Sequence, residues 1–155
     1  MKRAAHAFAV AALTATALTV ALAGAAVTPA SLLITHVVKG CHTWALNGAA
    51  PQVRQTLAVP VGGTVRITNN DLMPHQLVQL SGPAATMRLV GAGMPMMGKL
   101  RPPYAKGTMP HMSSALAVSF TKPGVYTFLT KTGDDYAEVH TVGDDNVLRM
   151  TVTVK

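Results

Sequence analysis

Val59 to Leu77 reads VPVGGTVRITNNDLMPHQL, and its spacing decides the fold class. Leu57, Val59 and Val61 alternate with smaller or polar residues, Gly62-Gly63 breaks the run, and Val65 and Ile67 resume the same two-residue period. Strict alternation is the mark of a strand with one buried face, and paired glycines supply a tight turn between two such strands. Asn69-Asn70-Asp71 then stops the second strand, and Pro74 precedes a new apolar alternation at His75.

The same period recurs outward in both directions. SLLITHVVK (31–39) and TWALNG (43–48) read as strands, the second closed by a turn-forming Asn-Gly. HQLVQL (75–80) is another, and ALAVSFTKPGVYTFLT (115–130) reads as a hairpin hinged at Lys122-Pro123-Gly124. At the C-terminus Leu148, Met150, Val152 and Val154 alternate with Arg149, Thr151 and Thr153. Seven or eight short strands at this spacing, without a long helical period, predict an all-β Greek-key β-sandwich. Residues 81–114 lack strand signals and read as a long Met/Pro-rich loop, a length that normally belongs to function.

The first residues set the compartment. Lys2 and Arg3 precede the uncharged run AHAFAVAALTATALTVALA (5–23), followed by small-x-small sites at ALA (21–23) and AGA (23–25). This is the pattern of a secretory signal peptide over residues 1–25, with one domain over 26–155. Retention as a membrane anchor is the alternative, but the low bulk of an Ala/Thr-rich run disfavours it. The expected location is secreted, periplasmic or cell-envelope, with no transmembrane span after cleavage. Loss of Lys2 and Arg3 lowers the net charge from +7 by two. The basic residues are scattered, with neither an aromatic platform nor a basic helix, so nucleic-acid binding is excluded. Cys41 is the single cysteine, so it has no intrachain partner. In an exported chain it is a buried inert residue, an intermolecular disulfide, or a reactive or metal-binding thiolate.

VPVGGTVRITNNDLMPHQL resembles the strand-turn-strand of the cupredoxins. There a Gly-x-x-Val strand ends in Asn and a His a few residues later supplies the first copper ligand. FTKPGVYTFLT (120–130) resembles the family's later strand pair, in which a Pro-Gly-x-Tyr strand delivers the copper thiolate. The resemblance runs from about Ile34 to the end. It implies a sandwich of cupredoxin type, copper as cofactor, and His75 as the first copper histidine. At the thiolate position, however, this chain has Thr130; His140 follows ten residues later and no Met occurs in that stretch. A His₂Cys site with a weak axial Met is not available there.

The family's topology implies other donors for the same pole. The loop entering TWALNG carries Cys41 and His42, and the segment entering ALAVSF carries MPHM, Met109 to Met112. The expected metal set is Cys41 and His75, with His111 and Met112 as further ligands and His42 behind them. Adjacent residues on a strand face opposite ways, so at most one of Cys41 and His42 faces the metal. The same divergence argues against a Cys41–His42 nucleophile and base, and no enzyme is expected. His36 reads as a core-edge or surface residue of the first strand, and His140 as a solvated one or a ligand.

Methionines form a second signal. Met94, Met96, Met97, Met109 and Met112 crowd GMPMMGK and GTMPHM. Thioethers suit Cu(I), or they seal an irregular loop as flexible apolar filler. Zinc finds no C-x-x-C or H-E-x-x-H, and the two Gly-Asp-Asp turns do not have EF-hand spacing. The sequence thus predicts an exported copper-binding protein, for electron transfer or copper carriage, acting with a redox or copper-delivery partner. The alternative is a metal-free interaction domain presenting residues 81–114.

Overall fold

In a computed structural model of the protein, residues 29–38, 41–94, 100–132 and 147–155 are described, without the side chains of Val37, Val38, Cys41 and His42. The predicted leader, His140, Met96 and Met97 lie outside these residues. The described residues form strands and no helix: β1 (Ala30–Val38), β2 (Cys41–Leu46), β3 (Arg54–Val59), β4 (Thr64–Asn70), β5 (His75–Ser81), β6 (Thr86–Ala92), β7 (Thr108–Met109), β8 (Ser114–Ser119), β9 (Gly124–Thr132) and β10 (Arg149–Val154). One sheet has the order β2-β1-β4-β8-β6 and the other β3-β10-β9-β5-β7. Strands β1 and β4 pair in parallel, as do β3 and β10; the other pairings are antiparallel.

The alternating residues supply the core. Leu32, Ile34, Val65, Ile67, Leu116 and Val118 bury the inner face of the first sheet. Leu57, Val59, Leu77, Phe128, Met150 and Val152 bury that of the second. Each such side chain contributes roughly 1.5–3 kcal/mol of transfer free energy. The C-terminal alternation is realised in full, with Leu148, Met150, Val152 and Val154 all buried. Asn47 and Gly48 have φ of 49° and 78°, the two positive values that a tight Asn-Gly turn requires.

Three expectations are corrected. The long loop over 81–114 contains β6 and β7. Strand β6 escapes the pattern because it is an edge strand with a poorly buried face, where Met87 and Leu89 are only half-buried. The stretch 115–130 is not a hydrogen-bonded hairpin, for β8 lies in one sheet and β9 in the other. Thr121-Lys122-Pro123 carries the chain across the sandwich. Phe120 is fully buried at this corner, edge-on to Tyr126 with ring centroids 4.9 Å apart, and the Tyr126 hydroxyl donates to the Lys122 carbonyl at 2.6 Å. Val61 also departs from its expected face, lying 49% exposed in the turn beyond β3. Tyr126→Phe removes the corner hydrogen bond while keeping the ring, so a loss of about 1–2 kcal/mol is expected in urea denaturation. An unchanged midpoint would show that the corner is held by ring packing alone.

Register gathers one end of the sandwich. Thr35 of β1 pairs with Asn70 of β4, so the β1–β2 hairpin stands at the end of β4 that leads to His75. His75 itself pairs with Met109 on one side and Thr132 on the other. Ala115, at the start of β8, pairs with Thr68 near the end of β4.

Candidate metal centre

The pole is organised by Asn69, a fully buried residue at the end of β4. Its Oδ1 accepts from the Asp71 backbone N–H at 2.9 Å, and its Nδ2 donates to the Met73 carbonyl at 2.8 Å. Asparagine is suited to this because its short side chain bonds the backbone two residues on and so closes a turn. The same Nδ2 reaches the His111 carbonyl at 3.4 Å, and the Asn69 carbonyl accepts from Ser113 N–H at 2.6 Å. One amide therefore ties the 71–74 turn to the 111–114 segment.

That turn delivers His75 at the first position of β5, with no exposed surface. Its Nε2 lies 3.1 Å from Oδ2 of Asp71, itself 4% exposed. A carboxylate only accepts, so Nε2 is the donor and the lone pair of a neutral ring resides on Nδ1. Asp71 Oδ1 also accepts from the Met73 backbone N–H at 3.4 Å. An imidazole oriented by a carboxylate on its far nitrogen is the arrangement that metal-binding histidines use.

His111 is buried at 9% exposure. Its Nε2 sits 3.4 Å from the Tyr104 hydroxyl, and the two rings meet edge-on at 6.2 Å. Its backbone N–H and carbonyl are both engaged by the Ser114 hydroxyl. Met112 is half-buried and lines a cavity of about 380 Å³ with His36, Asp71, Leu72 and Met73. The backbones of Cys41 and His42 open β2 at the same pole, opposite Val38 and His36, but their side chains are outside the described set. Among the described residues, no three His, Cys, Asp or Glu side chains form a group placed to hold a metal.

The end of β9 carries no soft donor. Thr130 pairs with Leu77, and it is Thr132 that stands beside His75. Both threonines are fully buried. Thr130 Oγ1 accepts from Leu148 N–H at 3.3 Å, while Thr132 Oγ1 donates to the Pro74 carbonyl at 3.2 Å. Their hydroxyls stitch β9 to its neighbours. Sequence reading missed Asn69 and Asp71 as positioning residues. The signal was present in NND, whose short polar side chains were read only as a strand stop. It also assigned His36 and Met73 no place at the site; register between β1 and β4 brings them there.

No protein-family model matches the chain, and no curated protein matches it. Among solved structures, a purple cupredoxin from Nitrosopumilus maritimus is 19% identical, covering 81% of this chain and 99% of that one, with a TM-score of 0.42. A reduced amicyanin variant is 19% identical over 86% of this chain and 88% of its own, with a TM-score of 0.38. Another amicyanin variant, in the Cu(I) state, is 24% identical over 64% and 69%, with a TM-score of 0.34. A likeness at this level stops short of the site. The described residues form an all-β sandwich of two mixed sheets. Among the described residues no helix is long and apolar enough to cross a membrane.

Proposed function

We propose that this is an exported copper-binding protein that carries the metal at the pole around His75. The observation behind the reading is the fully buried His75 ring held through Nε2 by Asp71. The donor chemistry fits copper: imidazole from His75 and His111, thioether from Met112, and thiolate from Cys41 on the adjoining hairpin, with His42 as a further nitrogen. Copper, when bound, supplies a one-electron couple. Asp71 fixes the orientation of His75, Tyr104 that of His111, and Asn69 holds the two segments together.

Carriage is favoured over electron transfer by the donors at hand. Thr130 and Thr132 use their hydroxyls for backbone bonds at the end of β9, where the resemblance implied a thiolate. Thioethers border the site and prefer the reduced ion. A partner that receives copper follows from this role. The test is the visible spectrum during Cu(II) addition, with Cu(I) affinity measured beside it. Cys41 ligation predicts visible charge transfer that Cys41→Ser abolishes, and carriage predicts Cu(I) bound more tightly than Cu(II). Colour that survives in Cys41→Ser removes the thiolate from the set. Failure of wild type to bind either ion overturns the copper reading and leaves the metal-free interaction domain.

A further inference from the structure

Four methionines of the described residues fall into two groups. Met109 and Met150 are at most 1% exposed, with their sulfurs enclosed by core. That is methionine as filler. Met73 and Met112 are different: both are half-buried and both line the cavity of about 380 Å³ at the pole. His36, exposed on β1, lines it too, and Asp71 contributes the carboxylate. Two methionines, a histidine and an aspartate thus line one open space.

Their backbones are held in place. Met73 is fixed by the Asn69 amide on its carbonyl at 2.8 Å and by Asp71 Oδ1 on its N–H at 3.4 Å. Met112 is fixed by the Met94 N–H on its carbonyl at 3.0 Å and by the bond from neighbouring Ser113 to Asn69 at 2.6 Å. Ser113 adopts φ of 66°, a left-handed value that is uncommon outside glycine. Thr35, beside His36, is in register with Asn70. All three donors therefore hang from backbone tied to Asn69 and Asn70.

From this arrangement we infer that the cavity is a second metal site, specific for soft monovalent ions such as Cu(I) and Ag(I), built from Met73, Met112 and His36. Thioethers bind such ions without losing a proton, and they hold hard divalent ions poorly. Asp71 joins this cavity to the buried ring of His75, since the residue lines the space and its Oδ2 accepts from Nε2. The site would receive an ion from solvent at the edge of the pole. It shares Met112 as a donor and Asp71 as a neighbour with the site proposed above, and needs neither Cys41 nor His75 nor His111 as a ligand.

The test uses the protein with ¹³C-methyl methionine and Cys41→Ser, so that the thiol does not compete, titrated with silver nitrate. Met73 and Met112 methyl signals are expected to shift together in the first equivalent. Met73→Leu with Met112→Leu keeps the apolar volume and is expected to weaken Ag(I) binding by more than about 100-fold, beyond the roughly 10–100-fold typical of losing an outer-shell partner. His36→Gln is expected to weaken it by at least about 10-fold. First-equivalent shifts confined to Met94, Met96, Met97 or Met109 would overturn the inference, as would undiminished affinity in the double variant. Because Cys41→Ser is the background throughout, the result stands apart from the fate of the thiolate-dependent colour.

Discussion

Gly93→Ala is expected to destabilise the protein by about 2–5 kcal/mol, whereas Gly62→Ala costs only about 1–2 kcal/mol, although both glycines are left-handed. Gly93 has φ of +73° and Gly62 +81°. A methyl on Gly62 meets nothing within 4 Å, so only the backbone penalty applies. A methyl on Gly93 would stand 2.3 Å from the Met112 carbonyl and 2.6 Å from the Ser114 N–H nitrogen. Both neighbours are backbone and cannot swing away. Overpacking of that kind adds about 1–3 kcal/mol. The displaced carbonyl belongs to Met112, so Ag(I) binding is expected to weaken alongside stability. Urea denaturation of the two variants side by side checks the difference; equal losses would mean that the 111–114 segment yields freely and is not a rigid platform.

His75→Ala is expected to cost about 3–5 kcal/mol, since removing one partner of a buried ionisable pair leaves the other in a medium that solvates it poorly. Asp71 is 4% exposed, and in this variant Oδ2 loses the ring N–H at 3.1 Å. The vacated ring volume adds a cavity term. Asp71→Asn is expected to cost less, about 1–2 kcal/mol, because the amide retains shape and an oxygen acceptor for Met73 N–H. Thermal or urea unfolding of both variants gives the ranking. A His75→Ala variant as stable as wild type would mean that water fills the site and hydrates Asp71, which would make the pole wetter than its burial indicates.

Most of the sandwich was legible because alternation survives wherever one face of a strand is buried. Leu57, Val59, Val65, Ile67, Met150 and Val152 announce themselves in this way and all are in the core. Strand β6 was not legible: an edge strand buries little, so Thr86–Ala92 is not required to alternate. Nor was the crossing at Thr121-Lys122-Pro123, because a corner between sheets and a turn within one use the same residues. Whether β8 and β9 pair is decided by competition from β4, β6, β5 and β10 for their edges. At the pole, His75 and His111 were legible by type and by resemblance. Asp71 and Asn69 act through bonds to distant segments that local reading does not reveal. His36 was read as a core-edge or surface residue and is exposed, but its neighbourhood with Met73 and Met112 depends on the parallel register of β1 and β4.

That parallel pairing has a counterpart at the other terminus, with a kinetic consequence. Among the described residues, β3 has a single strand neighbour in its sheet, and that neighbour is β10, which lies far from it in sequence. Until β10 has docked, β3 lacks its pairing partner among the described residues, and this edge of the second sheet stays open. Joining segments so far apart in sequence is slow compared with forming local contacts.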